Sequence, residues 1–250
     1  MTSDHSNTPR PPEPNPHPRP HPHPAITPLP VPEGDLDILL VGGSFDPPTL
    51  AHVQIAERVR AVALAPGGWL VFVPAARSPF KPDPPALDVH RAAMLKLATD
   101  RLDRAGVWTD EFDRAGDNTP SYWIDTLRRA REARPDAEFR FLIGADQAAA
   151  FHRWREAHQI LALASPLVVL REPFADAAAL AAHLRATTEW SEDELTIWRD
   201  AVLPIPLVRG SATQARTALA AQPQDRATLE RLLDPAVLDY ICAHKLYIFR

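Results

Sequence analysis

One stretch constrains this chain more than any other: Gly42-Gly43-Ser44-Phe45-Asp46-Pro47-Pro48-Thr49-Leu50-Ala51-His52. The apolar run just before it, residues 36–41, predicts a buried strand. After it, Leu50, Val53, Ala56 and Val59 recur on one face at helical spacing and predict an amphipathic helix. Two of the chain's nine glycines stand at the strand end, where backbone must approach a ligand closely. A strand, a small-residue turn and a helix N-terminus together make an anion site, because N–H groups and the helix dipole point at the ligand. His52, in the first helical turn, adds a donor aimed at phosphate. An ordinary turn with a surface histidine explains either feature singly; the two together favour a phosphate site.

Composition narrows the field further. With 250 residues and 45% hydrophobic side chains, the chain can build one sizeable core. A net charge of −5 argues against a general nucleic-acid or membrane-surface binder, so an anionic substrate must be met by local positive groups. The single cysteine, Cys242, excludes an internal disulfide framework and a Cys-rich zinc site. Its neighbours Val237, Leu238 and Ile241 predict a place on the buried face of a helix. No run reaches the roughly 18 apolar residues of a membrane span, and no apolar segment near the N-terminus marks a signal peptide. The expectation is a cytoplasmic protein with neither membrane nor nucleic-acid partners; a homo-oligomer is left open.

Residues 1–34 are expected to form a disordered Pro/His-rich tail, and residues 35–250 one folded domain. Twelve of the first 34 residues are proline, several alternating with histidine, a composition that forms neither helix nor central strand. Such a segment is expected to be extended and mobile, and its histidines solvated, since nothing fixes a coordination geometry. Further on, strands predicted at residues 69–73, 107–108, 139–143 and 166–170 alternate with helices at 89–98 and 121–134. Residues 175–200 read as helical. Residues 202–208 read as an edge strand broken by Pro204 and Pro206, and the last forty as helical, ending in 235–244. This alternation predicts an α/β fold: a doubly wound, mostly parallel sheet with helices on both faces and a C-terminal helical part. Ligands in such folds bind at the carboxyl ends of strands. Neither G-x-G-x-x-G nor G-x-x-x-x-G-K-[ST] occurs, which disfavours a dinucleotide dehydrogenase and a P-loop NTPase.

Further segments fall where strands end. In Ile143-Gly144-Ala145-Asp146, the glycine lets the chain turn under a ligand and Asp146 can accept from a hydroxyl or amine, or simply cap a helix. Trp154 follows, with Arg155 beside it. Ser78-Pro79-Phe80-Lys81 places a point charge after the second strand. Pro120-Ser121-Tyr122-Trp123-Ile124-Asp125-Thr126-Leu127 opens a helix, and Arg171 ends a strand. Ser211-Ala212-Thr213-Gln214-Ala215-Arg216 follows the last strand, with hydroxyls and amides at a helix start and an arginine one turn on.

In this order, these motifs resemble those of the bacterial nicotinate-nucleotide adenylyltransferases, members of the nucleotidylyltransferase superfamily with its [HT]-x-G-H signature. The resemblance runs from about residue 36 to 247. Thr49 stands where that family usually has His, Ala51 where it has Gly, Phe80 where it has His, and Trp123 where it has Thr. The resemblance implies a Rossmann-like fold and transfer of AMP from ATP to nicotinate mononucleotide, giving deamido-NAD and pyrophosphate. It implies catalytic roles for His52, Thr49, Lys81 and Arg216. It assigns ATP to Gly42, Gly43, Ser44, Phe45, Gly144, Asp146, Ser211 and Thr213, and the mononucleotide to Tyr122, Trp123, Trp154 and Arg171. Separately from the resemblance, Arg155 beside Trp154 is a candidate to meet the nicotinate carboxylate in place of the family's Thr, or else a solvent-facing helix arginine. A Mg²⁺ ion would be held mainly by ATP phosphates, with no metal site on the protein itself. The alternatives are another phosphate acceptor, nicotinamide mononucleotide or phosphopantetheine, and a catalytically degenerate nucleotide-binding protein.

Overall fold

A computed structural model of the chain describes residues 24–78, 86–116, 120–174, 176–187, 190–206, 208–221 and 224–247. The first half runs β1 (Asp37–Gly43), α1 (Leu50–Ala63), β2 (Trp69–Pro74), α2 (Asp88–Thr99), β3 (Ala105–Val107), α3 (Asp110–Asp113) and α4 (Trp123–Ala133). The second half runs β4 (Glu138–Gly144), α5 (Ala145–Ala149), a 3₁₀ turn (Phe151–Arg153), α6 (Ala157–Leu163), β5 (Ser165–Val169), α7 (Ala177–Thr187), α8 (Glu192–Asp200) and β6 (Val202–Leu203). Three helices close it: α9 (Ala212–Ala220), α10 (Arg226–Leu232) and α11 (Pro235–Ala243). The strands form one sheet in the order β3-β2-β1-β4-β5-β6, every pair parallel.

The apolar runs of the strands follow from this sheet, because both its faces are covered. Ile38 and Leu40 of β1 point to one side, into a core with Ile124 and Leu127 of α4, Ile160 of α6 and Trp198 of α8. Leu39 and Val41 point to the other, against Ala56 and Val59 of α1 and Leu95 of α2. A third cluster joins α9, α10 and α11 to Met94 of α2, so the C-terminal helices pack on the helix layer and not on the sheet itself. The predicted doubly wound α/β architecture is the observed one. Among the described residues, no helix is long and apolar enough to cross a membrane.

Four details depart from expectation. The strand predicted at residues 202–208 is only Val202–Leu203, because Pro204 and Pro206 have no N–H to give the ladder. The helical stretch at 175–200 is two helices, the second started by Ser191, whose hydroxyl accepts from the Glu194 N–H while Glu194 accepts from the Ser191 N–H. Cys242 is exposed rather than buried: Val237, Leu238 and Ile241 face the core, and one further residue turns the helix away from it.

The fourth concerns the N-terminal segment. The expectation of a mobile tail up to residue 34 does not hold for residues 24–34, which are strapped to the body. Thr27 N–H donates to Asp110 Oδ1 (3.0 Å), and the Thr27 carbonyl accepts from Trp108 Nε1 (2.7 Å). Arg129 grips Asp110 with two bonds (2.6 and 2.7 Å) and spends further N–H groups on the carbonyls of Pro24 and Ala25. Arg134 likewise holds the carbonyls of Pro32, Glu33 and Asp35. Ile26, Leu29 and Val31 pack on the main core, and Pro30 lies on Gly106, where a Cβ would stand only 2.7 Å from it. The strap covers a fully buried carboxylate, which is costly to expose half-paired. A chain starting at residue 35 is therefore expected to melt about 5–10 °C below one starting at residue 24. Thermal unfolding followed by circular dichroism checks this; equal melting curves would refute it.

Candidate active site

The chain builds outward from β1 to β2 and β3, then returns to the other side of β1 for β4, β5 and β6. The order therefore reverses between β1 and β4, and a crevice opens at their carboxyl ends. Both ends are glycine for a reason of space. A Cβ on Gly42 would stand 2.8 Å from the Trp123 ring, and one on Gly144 would stand 2.5 Å from Arg171 Nε. Beyond Gly43 the chain turns through Phe45, whose backbone is left-handed (φ 45°), an uncommon state for a bulky residue. That turn buries the Phe45 ring edge-on to Phe72 and to His52 (centroids 6.0 and 5.3 Å).

Thr49 is the residue before α1, and the Thr49 N–H donates to His52 Nδ1 at 2.9 Å, with the Thr49 hydroxyl at the same distance. A ring nitrogen that accepts an N–H bond carries no proton, so the neutral imidazole is protonated at Nε2. Thr49 is itself only 2% exposed. In this arrangement Thr49 fixes the tautomer and tilt of His52 rather than presenting a hydroxyl outward. The Ala51 methyl is also buried, 3.5 Å from where a Cβ on Gly210 would stand. Gly210 adopts φ +121°, a conformation open to glycine. The extra methyl at 51 thus lies inside the protein, in room left by the missing side chain at 210.

α9 delivers its N-terminus to the same loop. Ser211 caps it, its hydroxyl accepting from the Gln214 N–H (3.2 Å). Arg216 Nη1 donates to the Asp46 carbonyl (2.6 Å), and Nη2 lies 3.4 Å from Thr213 Oγ1. Two motifs 170 residues apart in sequence meet here. Across the crevice, Arg171 holds Asp146 in a two-pronged bond, Nη2 at 2.7 Å and Nε closer still. Burial pushes the Asp146 carboxyl up, but the Arg171 guanidinium outweighs it and holds the group below its ordinary range. These two were expected to bind separate ligands; here they bind each other.

The remaining expected residues form an aromatic row. Trp123 meets Phe141 edge-on (6.2 Å), Phe141 stacks on Phe151 (5.9 Å), and Phe151 stacks on Trp154 (4.8 Å). Arg155 lies over the Tyr122 ring, 4.9 Å from its centroid. The Trp123 indole N–H is buried and has no acceptor among the described residues. Gly42, Tyr122, Trp123 and Arg155 are thus together at one side of the crevice, and Gly43, Phe45, Thr49, His52, Thr213 and Arg216 at the other. Lys81 lies outside the described residues.

Sequence reasoning missed Arg91 of α2. The side chain is 0% exposed and all five of its N–H donors are used. Nε donates to the Ala86 carbonyl (3.0 Å), Nη1 to those of Ser44 (2.9 Å) and Ala75 (2.5 Å), and Nη2 to that of Ala76 (3.0 Å) and to Asp88 (2.5 Å). Ser44, expected to bind ATP, thus has its carbonyl turned inward to Arg91. The i, i+3 spacing from Asp88 was the one local signal, and it fits any surface ion pair equally well. Arg91→Lys supplies three donors from one point and leaves buried carbonyls unpaired. We expect it to cost about 2–4 kcal/mol of stability. Urea denaturation of the two proteins checks this, and a loss under about 1 kcal/mol would contradict it.

The geometry agrees with what the chain is similar to. A family model described as cytidylyltransferase-like matches residues 40–214. A probable nicotinate-nucleotide adenylyltransferase of Acidithiobacillus ferrooxidans is 34% identical over 222 residues, spanning 84% of this chain and 95% of that protein. One of Stenotrophomonas maltophilia is 35% identical over 221 residues, spanning 82% and 94%. Among solved structures, Plasmodium falciparum nicotinic acid mononucleotide adenylyltransferase complexed with NaAD shares the fold, with a TM-score of 0.65 at 19% identity over 86% of this chain and 98% of that one. With a sheet that reverses at β1 and β4 and relatives of this identity along most of its length, the chain belongs to the cytidylyltransferase-like family, among the nicotinate-nucleotide adenylyltransferases.

Proposed function

We propose that this protein transfers AMP from ATP to nicotinate mononucleotide, forming deamido-NAD and pyrophosphate, a step of NAD biosynthesis in the cytoplasm. The observation that carries the reading is the pairing of His52, locked by Thr49, with Arg216, locked on the Asp46 carbonyl, at the two helix N-termini beside the end of β1. Two preset donors at helix starts suit a polyanion. Relatives with that activity in their names support the choice of substrates, and the Plasmodium protein has been solved with NaAD and with APC.

The chemistry asks little of a general base. The nucleophile is a phosphate monoester whose second pKa is about 6, so it is largely dianionic at neutral pH. One of its oxygens forms a bond to the α-phosphorus of ATP while the bond from that phosphorus to the bridging oxygen breaks, and the electron pair leaves with pyrophosphate. The work is alignment and neutralisation of moving charge. His52, through Nε2–H, and Arg216 serve the triphosphate together with the α1 and α9 amides. Thr49 orients His52. Lys81, outside the described residues, is assigned a charge toward the triphosphate by the family resemblance alone. Tyr122, Trp123, Trp154 and Arg155 receive the mononucleotide, with Arg155 facing its carboxylate. The Asp146–Arg171 pair and Gly144 border the ribose.

Among the described residues no three His, Cys, Asp or Glu side chains gather as a metal cage. The groups assigned to the triphosphate, His52 and Arg216 with the α1 and α9 amides, are N–H donors that suit phosphate oxygens, so Mg²⁺ fits as an ion carried by the triphosphate. When bound there it neutralises charge on the phosphates. Trp123 favours keeping a second acceptor in view, since it replaces a small hydroxyl residue with a partly buried indole whose N–H has no acceptor among the described residues. A panel of nicotinate mononucleotide, nicotinamide mononucleotide and phosphopantetheine, scored with ATP by pyrophosphate release, decides among acceptors. Release with nicotinate mononucleotide at the highest kcat/KM is expected; ATP binding with no release on any acceptor would overturn the reading. His52→Ala is expected to lower kcat at least ~100-fold with little change in ATP affinity. A variant of undiminished turnover would remove His52 from the mechanism.

A further inference from the structure

The turn after α11 reaches back to the loop after β1. α11 ends in a Schellman turn: Lys245 N–H donates to the Cys242 carbonyl (3.2 Å) and Leu246 N–H to that of Ile241 (3.0 Å). The left-handed position of such turns favours glycine, yet here it is Lys245 (φ 52°), and Tyr247 is left-handed as well (φ 63°). Two side-chain-bearing residues in this disfavoured state direct the chain inward, and the Tyr247 hydroxyl donates to Asp46 Oδ1 at 2.7 Å. The same oxygen accepts from the Ala86 N–H (3.1 Å), and Asp46 as a whole is 8% exposed. Burial, and next the bond to Asp46, push the Tyr247 phenol far above its ordinary pKa, so the donor keeps its proton at any working pH.

Asp46 therefore has two partners of different kinds. Its carboxylate is held by Tyr247 and Ala86, while its carbonyl holds Arg216 at 2.6 Å. Tyr247 and Arg216 also line one cavity of about 200 Å³, together with Thr217 and Ala220. We propose that Tyr247 is a positioning residue for adenylyl transfer: through Asp46 it sets the guanidinium of Arg216 against the triphosphate of ATP. This rests on the reading of Arg216 as a phosphate ligand. The arrangement makes phosphate binding depend on a hydroxyl 201 residues away from the carboxylate it holds. A clasp that served stability alone would act on both substrates through the folded fraction; a positioning residue acts on the ATP side.

The test is steady-state kinetics of Tyr247→Phe with both substrates varied. The KM for ATP is expected to rise about five- to tenfold, as for loss of one bond to a charged group, while the KM for nicotinate mononucleotide stays within about twofold. In an Asp46→Ala background the same substitution is expected to change the ATP KM by less than about twofold, because the coupling residue is gone. An unmoved ATP KM, a parallel rise in both KM values, or effects that simply add in the double variant would each overturn the inference. If Tyr247→Phe folds too poorly for kinetics, the rise in melting temperature produced by ATP decides, and a rise as large as in the natural protein overturns it. Natural protein that makes no deamido-NAD would instead refute the reading of function, whereas full turnover with an unmoved ATP KM in the variant refutes the role of Tyr247 alone.

Discussion

A single guanidinium, removed from solvent, ties together the loops from which the active site is made. Arg91 has five N–H donors and meets four backbone carbonyls and one carboxylate. The carbonyls come from the loop after β1 (Ser44), the loop after β2 (Ala75 and Ala76) and the approach to α2 (Ala86). Without the guanidinium these carbonyls would lose its N–H bonds, and without the carbonyls its charge would be buried unsatisfied. The need is mutual, which is why neither side can be replaced alone. Asp88 supplies the countercharge where the side chain nears the surface, and the Phe112 ring covers the guanidinium face at 4.7 Å.

On that frame the protein builds a site of preset donors with few moving parts. His52 is held by its neighbour Thr49, and Arg216 by the carbonyl of Asp46. Asp46 in turn is held by Ala86, whose carbonyl is on Arg91, and by Tyr247. Each group that would face a phosphate thus has a second group behind it. For the proposed reaction this is the main requirement, since the nucleophile arrives ionised and the leaving group needs only charge neutralisation. A protein with a net charge of −5 can bind polyanions in this way, because the positive potential is local and directed.

Much of the fold was legible because a parallel sheet covered on both faces leaves near-continuous apolar runs, and these mark every long strand. The strand-end motifs were legible for the same reason: a glycine after such a run has few other uses. Illegible were features that depend on distant partners. Proline content marked residues 24–34 as a tail, but Asp110, Arg129 and Arg134, which bind that segment, lie some 80 to 105 residues on. No local pattern marks Arg91 or Tyr247, because their partners Ser44 and Asp46 are brought against them only by the fold. Asp146 and Arg171 were each expected after a strand, facing separate ligands; their pairing needed the β4–β5 register, which sets Gly144 beside Val169.

The exchange of a small hydroxyl residue for Trp123 is best understood through its neighbours. The indole takes the space that a Cβ on Gly42 would need and begins a row of rings through Phe141 and Phe151 to Trp154. Trp123 is therefore a packing element between β1 and β4 before it is anything to a ligand, and the row couples its position to that of Trp154. A carboxylate on the proposed acceptor then has to find its positive partner elsewhere. Arg155 has that capacity: its side chain is 55% exposed, its body rests on the Tyr122 ring, and its partner Glu156, 3.7 Å away, is shared with Arg128. A guanidinium steadied by an aromatic face yet only loosely paired keeps most of its charge for an incoming anion.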